Sequence, residues 1–566
     1  MRLRSRLLRP FRYPMRWAAF LAGGVPAILV FPMPSLSYLA WFALVPGMVL
    51  LARAATTREA VARGWWFGAG YLIAILQWMT PEIGPGVVLI GAVFGCMWSP
   101  FAVAVRRLLA RPASWPRALL ALIVVPGTWL VPEWIRSFQG LGGPWGLYGA
   151  SQWQHPAVLA LAAVGGTWLV SVALVLANAG LTLILGAAYP AALAAPAPSP
   201  ALSPSPAPVK PSAGKRAAFA AAGAVAVVAA AGSGPLAFAL TPPFPTARSF
   251  TIAMVQPGVV GDPVLRTDAS ESLTKELTKG GTLAGVKPDL IVWGESSIPD
   301  DLTGTSPADR ALLARIEALS AQDGAEVLVN QDTTPPGAGH EKWAVLVGPG
   351  GVRGTYVKTR LVPFGEYIPF RQQLGWLTSI SKASSSNMVP GTGAHTLTVS
   401  DPGLRPLAVG VLTCFESAFP DMSRVETDQG AQVIVYQSET STFQGTWGPD
   451  QQGSLAALRG AETGRPVAQA SLTGDTVAFD ARGRELAWMG QDAHGVVTVT
   501  LNLPAAAQKT FYDQAGDYVM WSGVGIAVLA ALVMLLRRRH FLSNTTGAAG
   551  GRTAECDADT GDPVRS

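Results

Sequence analysis

Eight long apolar runs set the hydrophobic pattern of the chain, covering approximately residues 16–34, 37–55, 64–82, 86–105, 118–137, 157–188, 217–240 and 518–536. Each approaches the roughly 20 residues that a helix needs to cross a bilayer core, so the pattern predicts a polytopic membrane part. Between the seventh and eighth runs the pattern changes. Short β-rich segments at Ser249–Val255, Asp289–Trp293, Glu326–Asn330, Trp343–Val347, Leu407–Cys414 and Gln432–Tyr436 alternate with helical stretches at Ala308–Gln322 and Gly453–Thr463. Strands alternating with helices predict an α/β domain, and about 260 residues suffice for one such core. The Pro/Ala/Ser stretch from Pro190 to Pro211 is expected to be an extended linker. The residues after Leu542, rich in Gly, Asp and Thr, are expected to be a disordered tail.

Composition agrees with two solvents in one chain. Of 566 residues, 49% are hydrophobic and 14% charged, whereas soluble domains carry about 25% charged residues; a wholly soluble protein is excluded. The excess of 42 Lys+Arg over 36 Asp+Glu does not point to nucleic acid, because the cations cluster at span ends. They lie at Arg2, Arg4, Arg6, Arg9, Arg12 and Arg16, at Arg53, Arg58 and Arg63, at Arg106, Arg107, Arg111 and Arg117, at Lys210, Lys215 and Arg216, and at Arg537, Arg538 and Arg539. Such loops face the cytoplasm, so every second loop is expected inside, residues 247–510 outside, and both termini inside. The N-terminal stretch is expected to be retained as a span rather than cleaved as a signal, since a second span follows at once. The expected division is 1–246 with about seven transmembrane helices, 247–510 extracytoplasmic, 511–542 a C-terminal span, and 543–566 the tail. Trp65, Trp66, Trp145 and Trp153 are expected as interfacial anchors, with lipid entry as the alternative for Trp145.

Three cysteines, Cys96 in a span, Cys556 in the tail and Cys414 at a strand end, form no disulfide framework and no metal-ligand spacing. The five histidines show no HExxH pattern, and neither a G-x-S-x-G elbow nor a Walker-type loop occurs; no metal or cofactor is expected. Three polar residues each follow a predicted strand: Glu295 after Asp289–Trp293, Lys358 after Thr355-Tyr-Val, and Cys414 after the run from Leu407. In open α/β sheets the carboxyl ends of strands form the ligand crevice. A carboxylate, an ammonium and a thiol meeting there supply a base, an oxyanion partner and a nucleophile for covalent acyl transfer. Taken singly, each is equally a packing or surface residue; their joint placement is the signal.

At these positions the strings Trp293-Gly-Glu-Ser-Ser-Ile-Pro299, Lys358-Thr-Arg-Leu-Val-Pro-Phe-Gly-Glu-Tyr367 and Leu412-Thr-Cys-Phe-Glu416 resemble the nitrilase superfamily with its Glu-Lys-Cys triad. Joined to a polytopic N-terminus, they resemble the apolipoprotein N-acyltransferase family over nearly the whole chain. Tyr38-Leu-Ala-Trp-Phe-Ala-Leu-Val-Pro46, Gly64-Trp-Trp-Phe-Gly68, Gly142-Gly-Pro-Trp-Gly-Leu-Tyr-Gly-Ala-Ser-Gln152, Val255-Gln-Pro257 and Arg459-Gly-Ala-Glu-Thr-Gly-Arg-Pro-Val467 are similar too. The resemblance implies an α-β-β-α sandwich beside about eight spans, in the plasma (inner) membrane of a bacterium. It implies that Cys414 takes an acyl chain from a phospholipid as a thioester and passes it to the N-terminal amine of a lipidated apolipoprotein. Glu295 would be the general base, Lys358 the oxyanion stabiliser, and Glu366, Glu416 and Phe415 supporting residues. The sequence departs from the family at Glu341-Lys342-Trp343, where many members carry Tyr-Asn-Ser. It departs again at Gln437-Ser-Glu-Thr-Ser-Thr-Phe443, where many carry Asn-Asp-Ala-Trp-Phe-Gly, and at Phe415, commonly Tyr. Two other readings stand beside this one: a membrane-anchored nitrilase-type hydrolase, in which water resolves the thioester, and a non-enzymatic transporter or scaffold. Intramembrane ionisable residues would favour transport, and the spans hold few, Glu133 being the main exception.

Overall fold

Several of the apolar runs are helical only in pieces. In the computed structural model the stretch expected to span at 37–55 is a 3₁₀ turn, Ser37–Trp41, followed by a short helix, Val45–Ala52, with Pro46 in its first turn. The stretch at 86–105 bends through a 3₁₀ segment, Gly95–Trp98. That bend sits where a neighbouring helix, Thr57–Leu76, comes within backbone contact: a Cβ at Gly68 would fall on the Gly95 carbonyl, and one at Gly95 would reach Ala69 N at 2.5 Å. Small residues are what allow helices in a bilayer to approach so closely. The structure describes residues 13–550, apart from 111–113, 195–211, 260, 278–286, 336–338, 376–386 and 401–405. The arginines up to Arg12, Arg111, Lys210, most of the Pro/Ala/Ser linker and Cys556 therefore lie outside the described residues.

Among the described residues five helices are long and apolar enough to cross a membrane: Gly86–Leu108, Trp115–Arg136, Ala162–Ala188, Ala213–Leu240 and Tyr518–Arg537. The other expected spans coincide with the shorter apolar segments Pro14–Val30 and Ser37–Ala52 and with Thr57–Leu76, which starts before the apolar run and carries Glu59 bridged to Arg63 in its first turns. The last helix continues to Gly550, so the tail expected to be loose from 543 begins as helix; Ser543 to Gly550 contain no proline to stop it.

The polar part is a sandwich of two six-stranded sheets. The strands are β1 Thr246–Gln256, β2 Leu290–Trp293, β3 Glu326–Thr333, β4 Glu341–Gly348, β5 Gly351–Val357, β6 Thr396–Val399, β7 Leu407–Thr413, β8 Val433–Ser438, β9 Val467–Ser471, β10 Thr476–Phe479, β11 Glu485–Met489 and β12 Gly495–Pro504. One sheet has the order β12-β1-β2-β3-β4-β5, the other β11-β10-β9-β8-β7-β6. Each has three parallel strands at its centre, β1-β2-β3 and β7-β8-β9, with antiparallel strands outside. Alternation along a strand assigns the faces. Ile252, Met254, Leu290 and Val292 join the core shared with the second sheet, while Ala253, Val255, Ile291 and Trp293 pack with Leu312, Ile316 and Leu319 of the outer helix Pro307–Asp323. Helices Pro420–Asp428 and Gly448–Thr463 belong to the second sheet, completing the α-β-β-α arrangement.

The two parts are bound to each other by named contacts. Thr167, in the helix Ala162–Ala188, donates to Glu462 Oε1 from both its amide (2.8 Å) and its hydroxyl (2.6 Å). Gln139 Nε2 donates to the Leu361 carbonyl at 3.1 Å. Two of the tryptophans expected as interfacial anchors serve this junction instead: Trp153 stacks 5.1 Å from Trp488, and Trp145 lies 5.2 Å from Trp78 and 6.3 Å from Phe415. Both are buried, at 7% and 8% exposure, whereas Trp65 remains 46% exposed. Sequence periodicity could not separate the two roles, because an anchor and a docking residue are both aromatics at a span end. Glu133 also has a local duty. It accepts from Trp129 Nε1 (3.0 Å), Tyr148 N (2.7 Å) and Ser171 Oγ (3.2 Å), which fixes the loop that carries Trp145.

Candidate active site

Strand ends bring the three expected groups together. β2 ends at Trp293, and Gly294 then passes so close to the second sheet that a Cβ there would lie 2.7 Å from Ser471 C and on the backbone of Leu472. The closeness is locked by Glu295 N donating to Ser438 O (3.2 Å), at the end of β8. Gly294→Ala is therefore expected to separate the sheet ends and shift Glu295. Misplacement of a reacting group by an ångström costs on the order of 10²-fold in rate, and a steady-state assay of the variant measures that loss.

Cys414 follows β7 and opens a 3₁₀ turn, Cys414–Ala418, at φ +46. A non-glycine residue in the left-handed region is uncommon and marks a backbone set by its surroundings. Here the setting agent is Glu416. Its Oε2 accepts from Thr413 N (2.7 Å), and its Oε1 from Tyr356 Oη (2.7 Å), Thr359 N (2.8 Å), Thr359 Oγ1 (2.8 Å) and Arg360 N (3.0 Å). One buried carboxylate thus ties the cysteine turn to the segment just after Lys358. Phe415 points away from the polar centre, against Phe419 (5.0 Å) and Trp145, and Gly143 of the membrane part is so near that its Cβ would lie 3.1 Å from the Phe415 ring.

Lys358, 1% exposed, sits between two carboxylates: its Nζ is 3.0 Å from Glu295 Oε1 and 2.6 Å from Glu366 Oε1. Glu366 is held in turn by Val362 N at its Oε2 (2.8 Å). Burial works against the lysine's charge, but Glu295 and Glu366 overcome it and hold Lys358 well above the ordinary lysine range. Burial would likewise raise Glu295, yet Lys342 and Lys358 hold it below the ordinary carboxylate value. Cys414 moves the other way. Burial first and the Glu295 charge second push its thiol up to about 12, against the pull of Lys358 and of a hydrogen bond from Gln452 Nε2 (3.4 Å). The thiol also donates to the Glu439 carbonyl at 3.8 Å. At neutral pH the site holds a protonated thiol beside an ionised carboxylate and a fixed ammonium, the charge states that base-assisted attack requires.

Family comparison gives two matches in tandem. Residues 23–180 match the apolipoprotein N-acyltransferase N-terminal domain, and residues 251–510 match the carbon-nitrogen hydrolase domain. Proteins named apolipoprotein N-acyltransferase from Allorhizobium ampelinum, Geobacter metallireducens and Brucella melitensis are each 28% identical to this chain. The matches cover 85%, 91% and 95% of it and 86%, 95% and 99% of those proteins. The chain belongs to the apolipoprotein N-acyltransferase family. A solved amidase from Nesterenkonia sp. AN1 overlays 48% of this chain and 97% of its own at 19% identity and a TM-score of 0.34, too low to add to what the two sheets already say. With its apolar helices, the family assignment makes this a bacterial membrane protein of the nitrilase superfamily with a cysteine nucleophile.

Within that family frame the departures in sequence acquire positions. Gln437 is buried between the sheets, its Nε2 donating to Trp293 O (2.9 Å) and its Oε1 accepting from Asn330 Nδ2 (3.3 Å). Ser438 and Glu439 present the carbonyls that meet Glu295 and Cys414, so this stretch frames the site. Lys342 places its Nζ 3.2 Å from Glu295 Oε1. Sequence reasoning noted Lys342 as unusual without a role and missed Gln452 altogether, since a residue 38 positions beyond the cysteine carries no local signal.

Proposed function

We propose that the chain transfers a fatty acyl chain from a phospholipid, through a thioester on Cys414, to the N-terminal amine of the diacylglyceryl-cysteine of apolipoproteins. One observation supports this most. A thiol, a base and an ammonium arranged for acyl transfer stand beside Phe415, and Phe415 packs on Trp145 of the membrane part. A lipid ester can reach such a seam without leaving the bilayer, and holding both reactants there converts a bimolecular encounter into a local one.

In this reading Cys414 Sγ attacks the ester carbonyl while its proton passes to Glu295. The tetrahedral oxyanion is met by Lys358 and backbone N–H, and its collapse releases the lysophospholipid, whose oxygen takes the proton back from Glu295. The acceptor amine then attacks the thioester and loses a proton to Glu295, which returns it to the departing sulfur. Glu366 keeps Lys358 in place, and Glu416 holds the turn. The alternating loop charge supports both termini on the cytoplasmic side and residues 247–510 outside, with 1–246 and 511–542 in the membrane and 543–566 as the cytoplasmic tail.

Intact-mass spectrometry of the full chain with phospholipid tests the reading. A thioester adduct on Cys414 is expected that clears only when a diacylglyceryl-cysteine peptide is added; clearance by water alone would make the protein a hydrolase. The pH dependence of adduct formation has a defined sign. Glu295 must be unprotonated and lies below the ordinary 4.5, so formation is expected to stay level through neutrality and to fall only as pH drops below that value.

A further inference from the structure

A second lysine shares the base. β3 and β4 pair antiparallel with Asp332 directly opposite Lys342, and residues opposite each other in such a pair place their side chains on one face. Lys342, 7% exposed, brings its Nζ to Ser296 Oγ (2.7 Å), Asp332 Oδ1 (3.0 Å) and Glu295 Oε1 (3.2 Å). The ammonium donates to Ser296 Oγ and is ion-paired with the two carboxylates. Ser296, at φ +55, donates its own hydroxyl proton to Asp332 Oδ2 (2.7 Å), so the lysine is gripped from the side away from the triad. The backbone of the same residue acts as well: the Lys342 carbonyl accepts from Lys358 N at 2.9 Å. One residue therefore touches the base through its side chain and the oxyanion lysine through its main chain.

The geometry points to Lys342 as a positioning residue of this enzyme: braced by Asp332 and Ser296, it holds the Glu295 carboxylate, together with Lys358, in the ionised form that accepts the thiol proton. The inference rests on Glu295 serving Cys414 as base. The charges around Glu295 come from every neighbouring element: Lys342 on β4, Asp332 on β3, Lys358 after β5, Glu366 in the following loop and Cys414 after β7, with His340 acting on Asp332. Without Lys342, Glu295 would share Lys358 with Glu366. An opposite charge within about 4–6 Å lowers a carboxylate by one to three pH units, so removing it must let Glu295 take up its proton at higher pH. The other lysine makes this good only in part, because it serves Glu366 as well as Glu295.

The test follows Cys414 alkylation by iodoacetamide against pH in the full chain in detergent, read on the Cys414-containing peptide by mass spectrometry. In the wild type the rate is expected to stay level down to the acid limb set by Glu295. In Lys342→Met that limb is expected to move up by about one to three pH units, with the rate recovering toward wild type at pH 8. Lys342→Arg, which keeps the charge, is expected to bring the limb most of the way back to wild type. Asp332→Asn is expected to move the limb the opposite way, since Asp332 raises Glu295. Lys342→Gln serves if Lys342→Met does not fold, with the same upward movement of the limb expected. Limbs that coincide with wild type, or a Lys342→Met rate lowered equally at every pH, would overturn the inference. Phospholipid acylation is measured in parallel. A limb that moves while no acyl chain is taken from phospholipid supports the role of Lys342 and counts against the proposed donor, so the two failures are distinguishable.

Discussion

With Cys414 replaced by alanine, acyl transfer is expected to fall on the order of 10⁶-fold, the loss seen when a covalent enzyme is stripped of its nucleophile, and no adduct should form on the protein. The size of the effect follows from the lack of a substitute. Among the described residues the other cysteine, Cys96, lies in a 3₁₀ segment of the membrane part, and its neighbours there are backbone groups such as Val93 O. Cys414→Ser is expected to be nearly as inactive. The site already raises a thiol to about 12 by burial and by the Glu295 charge, and the same surroundings would hold a hydroxyl, intrinsically much harder to ionise, further out of reach. Both variants should insert and melt like the wild type, because among the described residues the hydrogen bonds of the Cys414 side chain, to Glu439 O and from Gln452, are long and weak. Labelled phospholipid and intact mass measure the outcome; undiminished turnover in Cys414→Ala would remove the thioester from the mechanism.

The placement of Glu295 and Cys414 at strand ends is legible in the sequence for a physical reason. The parallel strands β2 and β7 are short runs of consecutive apolar residues, buried on both faces, and such runs stand out in sequence. Whatever polar residue follows them must sit at the carboxyl edge of a sheet, so Glu295 and Cys414 could be placed from their neighbours alone. The outer strands were harder to see. β10 is fully buried but only four residues long, behind the Gly474 turn, and β11 presents Glu485 and Leu486 to solvent, so the first is too short and the second too exposed to leave a clear pattern. In the membrane part hydropathy located the apolar runs but not their breaks, which depend on a second helix approaching, as Gly68 and Gly95 do.

Lys342 shows where local reading stops. Its identity was visible as a departure, but its meaning depends on the β3–β4 register that sets it opposite Asp332 and on the approach of the β2 end from a residue 47 positions earlier. Glu416 is similar. Sequence placed it near the cysteine, while its bonds to Thr359 and Arg360 come from the loop that follows β5 of the other sheet.

Glu416→Ala is the variant expected to have the second largest effect, and by another route. The side chain touches neither the thiol nor Lys358 Nζ; it accepts five hydrogen bonds, three of them from backbone amides at Thr413, Thr359 and Arg360. Alanine leaves those amides and the Tyr356 hydroxyl without their acceptor in a buried place. A buried donor left unsatisfied costs about 1–3 kcal/mol, so even one amide that fails to find water is felt, and several together are expected to lower stability by about 3–6 kcal/mol. The local consequence is sharper than the global one. Cys414 stands in a left-handed conformation that costs about 1–3 kcal/mol and persists only while its surroundings impose it. Released from Glu416, the turn should relax and carry the sulfur away from Glu295, lowering thioester formation by at least about 10²-fold. Glu416→Gln keeps the shape but sets an NH₂ against donors, and is expected to fall between wild type and alanine. Thermal melting together with single-turnover acylation separates the two contributions. A Glu416→Ala protein that melts early yet acylates at the wild-type rate would show that the turn holds itself, and the carboxylate would then be a stabilising group with no part in aiming the nucleophile.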